Sequence, residues 1–211
     1  MIAGILARLP IGREEILDIK ILKEKLLSVE NGYQKRLTVA ISSSEERERG
    51  LLKMRKTVTP YTAFTYAPPK KQITYRPVVV GAGPAGLFAA LALAEAGTRP
   101  ILLERGECVE SRGRSVDRFF TGGELDPESN IQFGEGGAGA FSDGKLKFGQ
   151  DDPYRTKVLD EFVLAGAPAE IRYAEHPHLG TDRLPGIVRR LREKILSCGG
   201  EVHFGTKVDR L

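Results

Sequence analysis

Cysteine is scarce in this 211-residue chain: Cys108 and Cys198 stand ninety positions apart, and no C-x-x-C pair occurs. That spacing excludes a dithiol redox centre, and two lone thiols fit a reducing cytoplasm. No apolar stretch approaches the roughly 20 residues needed to span a bilayer. The opening MIAGILARLP is too short for a signal-peptide core, lacks a basic leader and is interrupted by Arg8. A cytoplasmic protein with no membrane partner is expected. Charge of one sign is missing too: the net charge is only +4, and the basic residues are scattered. The run from Arg189 to Lys194 reads as the solvated side of a helix, so no nucleic-acid partner is expected. Histidine occurs three times. His176 and His178 flank Pro177 with no cysteine or further histidine at ligand spacing, which favours positioning of the next helix over a metal site. The serines of SSSEE (Ser42 to Ser44) lack a histidine or acid in any nucleophile pattern and read as a solvated turn.

At 41% hydrophobic and 28% charged, the chain has the composition of a globular protein with a real core. Residues 1–75 read as a small α+β module. Apolar positions alternate at Ile19 and Ile21 and again at Leu37, Val39 and Ile41, with the hairpin-forming pair Asn31-Gly32 between them. SSSEERERG reads as a loop or a short exposed helix, and the turn-rich stretch around Pro68-Pro69 as a connector. Residues 76–211 read differently. Val78 to Val80 form a buried strand, a helix follows to about Ala96, and Gly97 caps it in a left-handed conformation. Pro100 to Glu104 is the next strand. Asp152-Pro153 opens a helix ending near Gly166. Asp182 is placed to cap another, whose apolar stripe is Leu184, Ile187, Val188, Leu191 and Ile195. The end, EVHFGTKVDRL, alternates as a strand or hairpin. Strands alternating with helices imply an α/β fold with a parallel sheet and crossover helices.

Glycine is abundant, with 24 residues, many of them between positions 81 and 149. Gly81, Gly83 and Gly86 fill G-x-G-x-x-G between a strand and a helix. Gly81 allows the sharp turn, Gly83 lets backbone approach a pyrophosphate, and Gly86 lets the helix lie close on the sheet; Ala85, Ala89 and Ala90 extend that closeness. The helix N-terminus offers N–H groups to a diphosphate. Glu104, eighteen residues after Gly86, is placed to accept both hydroxyls of an adenosine ribose and to repel a 2′-phosphate, which disfavours NADP. Spacing alone does not separate FAD from NAD. A second glycine-rich segment, NIQFGEGGAGAFSDGKL, carries Gly134, Gly136, Gly137, Gly139 and Gly144 among Ser142, Asp143 and Lys145. So little side chain exposes backbone to a large flat ligand and favours FAD; composition alone also allows a flexible surface loop.

These segments, with HPHLGTDRL from His176 to Leu184, resemble an uncharacterised family of bacterial FAD-dependent dehydrogenases, kin to the two-dinucleotide-fold flavoproteins. The resemblance covers Arg76 to Leu211. It implies a Rossmann-like FAD-binding domain in which Gly81, Ala82, Gly83, Pro84, Ala85 and Gly86 hold the pyrophosphate and Glu104 the ribose. Arg105 and Arg114 would lie near the phosphates. Gly136, Gly137, Ala138, Gly139, Ser142 and Asp143 would approach the flavin, and Val208 the adenine edge. Members of that family continue with a substrate-capping domain and a closing glycine–aspartate segment, so this chain is expected to be truncated before both. The function expected is the FAD-binding portion of an oxidoreductase with an unidentified substrate or electron partner. A non-catalytic fragment and an NAD-dependent dehydrogenase remain as alternatives, and neither His178 nor Lys145 is nominated as catalytic.

Overall fold

The computed structural model describes every residue except 55–57, 70–72, 142–143, 145, 147–151 and 211. The chain falls into two compact units, residues 1–64 with 172–175 and residues 65–171 with 176–211.

The first unit is built on a long antiparallel hairpin, β1 (Asp18–Val29) against β2 (Gly32–Ser42). The reversal sits one residue earlier than the Asn31-Gly32 pair suggests. Val29 pairs with Gly32, so Glu30 and Asn31 make the turn and Gly32 opens β2. Gly32 takes φ +131°, which other residues rarely adopt, while its two neighbours keep negative φ. A bulge between Ile21 and Lys23 shifts the register, and the apolar alternation of β1 stops there. Helices α1 (Ile2–Leu6) and α2 (Glu45–Leu52) complete the unit. Ile5, Ile11 and Leu51 are buried together against Ile19, Val39 and Ile41. The serines before α2 serve the backbone. The Ser44 hydroxyl accepts the Arg47 N–H at 3.4 Å as an N-cap, and Ser43 donates to the Glu15 carbonyl at 2.6 Å.

The second unit is the α/β body. Strands β3 (Val78–Val80), β4 (Ile101–Leu103) and β5 (Glu201–His203) pair in parallel in the order β3-β4-β5. This is a Rossmann-like arrangement in partial form. Helix α3 (Pro84–Glu95) follows β3, and Gly97 ends its last turn at φ +78°. Helices α4 (Val109–Phe120), α5 (Tyr154–Leu164) and α6 (Leu184–Ser197) follow. The stripe Leu184, Ile187, Val188, Leu191 and Ile195 is buried throughout, packed with Leu87, Ala90, Leu91, Ala94 and Leu102. Helix α4 is not apparent from the sequence, because its buried positions Val109, Arg112, Ser115 and Val116 include a charge and a hydroxyl.

Two helix starts differ in detail from the sequence expectation. Asp152 accepts the Tyr154 N–H at 2.7 Å from one position outside the Pro153 cap. Asp182 does not cap α6. The cap position is Arg183, and the Leu184 N–H is taken by the Gly180 carbonyl at 3.2 Å, because residues 181–183 form a turn leading straight into the helix. Beyond β5 the chain leaves the ladder. The Gly205 and Thr206 N–H groups then donate to the carbonyls of Gly106 and Glu104. A charged network also binds three helices: Lys157 and Lys194 each bridge Glu95 and Glu161 at 2.6–2.8 Å. Among the described residues, no helix is long and apolar enough to cross a membrane.

The β3–α3 junction depends on one missing methyl group. A Cβ on Gly86 would stand 1.8 Å from the Gly81 carbonyl oxygen and 3.6 Å from Val79. The obstruction is backbone and cannot swing aside. Gly86→Ala is therefore expected to cost about 3 kcal/mol, near the upper end for overpacking. Gly186→Ala within α6, where a Cβ meets nothing within 4 Å, is expected to gain roughly 0.5–1 kcal/mol. Thermal denaturation of the two variants against wild type checks both signs.

Candidate functional site

The first glycine segment has a different structural demand at each glycine. Gly81 leaves β3 with φ +93°, and its N–H donates to the Leu103 carbonyl at 2.7 Å. Gly86 gives the close approach described above. Gly83 has ordinary extended angles, φ −69° and ψ 179°, and a Cβ there would meet nothing within 4 Å. Neither strain nor packing requires glycine at that position. Pro84 starts α3 at a position where a missing N–H costs nothing.

Glu104, at the end of β4, is 5% exposed and bridges this loop to its own strand end. One carboxylate oxygen accepts the Ala82 N–H at 2.6 Å and the other the Gly106 N–H at 2.8 Å. Each oxygen retains a second lone pair for a further donor. Next to it, Arg105 pairs with Glu128 and lies over the Phe133 ring at 4.7 Å. Lys207 reaches Glu128 at 3.6 Å, bringing the segment after β5, with half-buried Val208, to the same end of the sheet.

The second glycine segment lies directly on the first. The Gly136 N–H donates to the Ala82 carbonyl at 2.8 Å. A Cβ on Gly137, which has φ +64°, would stand 3.1 Å from Pro84 Cδ and 3.6 Å from Gly83 Cα. Gly136 is itself enclosed by Val188 of α6 and Ala140, each 3.1 Å from a Cβ placed there. Gly139, within the short turn Ala138–Ala140, has open space at its Cβ. Ser142, Asp143 and Lys145 lie outside the described residues. Gly144 and Leu146 are fixed against the H-P-H segment: the Leu179 N–H donates to the Gly144 carbonyl and the Leu146 N–H to the Pro177 carbonyl. His176 and His178 are both exposed, and among the described residues no group of three or more His, Cys, Asp or Glu gathers.

Of the two arginines expected near phosphates, Arg105 stands beside Glu104, whereas Arg114 is exposed on α4 and donates to Ser111 of its own helix at 3.0 Å. The arginine that the structure brings to the glycine loop is Arg112. Its side chain is fully buried and donates to five carbonyls: Asn130 (2.8 Å), Ile131 (3.0 Å), Gly134 (3.3 Å), Glu135 (2.6 Å) and Gly137 (2.8 Å). The guanidinium also lies over the Phe141 ring at 4.7 Å. The signal available in the sequence was its spacing: Val109, Arg112 and Val116 share one helix face.

Glu135 is buried beside it. One oxygen accepts the Val109 N–H at 2.8 Å and an Arg192 N–H at 2.7 Å, and the other has no partner among the described residues. Arg192 also bridges to Glu110 and holds that carboxyl below its usual range. At Glu135 burial outweighs the Val109 amide and the Arg192 charge, and its pKa is pushed up to about 7. The folded state then holds a proton that the unfolded chain has released above its ordinary 4.5, so stability falls as pH rises from 4.5 through about 7. In Glu135→Gln, which mimics the protonated form, this decline is expected to vanish. Thermal midpoints measured across that range check it; parallel curves for wild type and variant would contradict the assignment.

Residues 74–117, which span β3, the first glycine loop, α3, β4 and most of α4, match the family model of an FAD binding domain. Over 141 residues, 67% of this chain, the sequence is 55% identical to an uncharacterized protein of Clostridium beijerinckii. That match spans 26% of the relative, so the chain covers about a quarter of its length. FAD is the cofactor of this Rossmann-like domain.

Proposed function

We propose that this chain supplies the FAD-binding part of a flavin-dependent oxidoreductase, of the kind represented by the bacterial FAD-dependent dehydrogenases it resembles. The observation that carries the reading is Gly83. It is a glycine with no conformational or packing reason to be one, facing open space at the start of α3 with Gly137 alongside. Space that a Cβ would fill, next to unpaired helix N–H groups, fits a diphosphate approaching the backbone.

Bound FAD supplies hydride chemistry at the flavin ring, and the chain's share is to seat and orient it. In this reading Gly81, Ala82, Gly83, Pro84, Ala85 and Gly86 shape the diphosphate seat. Glu104 uses its remaining lone pairs for the ribose hydroxyls while its bonds to Ala82 and Gly106 fix the carboxylate in place. Arg105 borders the phosphates, and Val208 lies with Lys207 on the segment that would meet the adenine edge. Gly136, Gly137, Ala138 and Gly139 form the opposing wall. Ser142 and Asp143 keep their place on the flavin side by resemblance alone, and the geometry gives Arg114 no such support.

Reconstitution tests the reading. The purified chain incubated with FAD and passed through a desalting column is expected to emerge yellow and to release FAD on denaturation. Gly83→Val, whose side chain enters open space, is expected to keep its thermal midpoint while FAD affinity falls at least about tenfold, the equivalent of one lost charge-assisted contact. A colourless wild type that responds to NAD in a thermal-shift assay would replace FAD with NAD. A wild type that binds neither would leave a non-catalytic fragment.

A further inference from the structure

Arg112 is a buried cation with no carboxylate in direct contact among the described residues; Glu104 and Glu135, both buried, act on its charge only through space. Its partners are five carbonyl oxygens and one aromatic ring. Burial pulls its pKa down to about 10, which still leaves it charged at neutral pH. A charge in such a place is costly unless something offsets it. The carbonyls do so in part, and their alignment has a second effect. In a trans peptide the N–H points opposite to the C=O, so a carbonyl turned onto the guanidinium turns the next residue's N–H away from it.

Of the N–H groups turned outward in this way, that of Glu135 donates to Glu107, that of Gly136 to Ala82 and that of Gln132 to the Asn130 side chain. The N–H groups of Ile131 and Ala138 have no acceptor among the described residues, and of these two it is Ala138 that follows the glycine lying against the first loop. The Ala138 N–H belongs to the peptide whose carbonyl Arg112 holds at 2.8 Å, on the residue packed against Gly83 and Pro84. We propose that Arg112 is a positioning residue for the dinucleotide: it fixes the Gly137–Ala138 peptide so that its N–H is presented to the diphosphate at the start of α3, without itself touching the ligand. The peptide dipoles relay its positive charge to the anion, as successive amides do in other anion-binding loops. This rests on the FAD reading above and names the device that shapes that site.

The experiment compares wild type with Arg112→Lys, which keeps the charge but cannot reach five acceptors with one ammonium group. FAD and ADP are both used as probes, because ADP shares the diphosphate and lacks the flavin. Arg112→Lys is expected to weaken both at least about tenfold and by the same factor, the scale of a lost charge-assisted hydrogen bond. Amide exchange in the peptide covering 131–141 should accelerate while that of α3 and α6 stays unchanged. In Arg112→Ala, added guanidinium at millimolar concentration is expected to restore part of the ADP affinity, and urea at the same concentration none.

Wild-type affinities in Arg112→Lys, or weakened FAD binding with unchanged ADP binding, would overturn the proposal and leave the FAD reading standing. Wild type binding neither probe would remove both. Should the Arg112 variants not fold, Phe141→Leu takes their place. It removes only the ring under the guanidinium and is expected to weaken both probes by roughly threefold, in line with one cation–π contact; an unchanged affinity for either overturns the proposal.

Discussion

Loops made of glycine have almost no side chains with which to pack, so their order must come through the main chain. That constraint governs the second unit. Its two glycine segments are held by ionisable side chains buried among them, carboxyls for the amides and a guanidinium for the carbonyls. Glu104 accepts amides, from Ala82 and Gly106. Arg112 donates to carbonyls, five of them along residues 130–137. Glu135, fully buried, accepts the amide that opens α4 and the guanidinium of Arg192 on α6. Hydrogen bonds to charged groups are worth roughly 1.5–3 kcal/mol each, more than their neutral counterparts. A few such residues can thus order backbone that hydrophobic contact cannot grip.

Behind the loops the scaffold uses ordinary packing, and this part was legible in the sequence. The period of Leu184, Ile187, Val188, Leu191 and Ile195 is local information, and burying that face against Leu87, Ala90 and Leu91 required no long-range knowledge. Gly97 after α3 was legible for the same reason: one residue decides whether the chain can turn left-handed there. What was not legible depended on tertiary partners. An arginine on the inward face of α4 looks like a break in the stripe until the carbonyls that receive it are known. The same blindness makes Arg114 as plausible as Arg112, since two residues apart on a helix are on different faces and only the fold says which is inside. Asp182 shows the limit of capping rules. Its type and position suit an N-cap, but a preceding turn had already supplied the acceptor.

The hairpin of the first unit teaches a similar lesson. Asn-Gly signals a reversal, and a reversal is there; the glycine's positive φ serves the first residue of β2, after a loop of Glu30 and Asn31. Sequence fixes which residue must accept an unusual angle more securely than it fixes the pairing frame around it, because the frame is set by eleven cross-strand pairs and a bulge.

The three glycines of the G-x-G-x-x-G motif draw these strands together. In sequence they are identical letters. In the structure Gly81 is required by its φ, Gly86 by a carbonyl 1.8 Å from where a Cβ would be, and Gly83 by nothing among the described residues. A residue demanded by the fold says only that the fold exists. A glycine whose smallness is unused by the fold is informative where it opens a helix and faces the backbone of a second loop; Gly186, equally open, lies within α6 and carries no such meaning. Gly83 is of the second kind, and the neighbouring main chain of Gly137 narrows the same space from the other side. On the FAD reading, the functional content of the motif is therefore concentrated in its middle position, where a dinucleotide would come closest to the main chain.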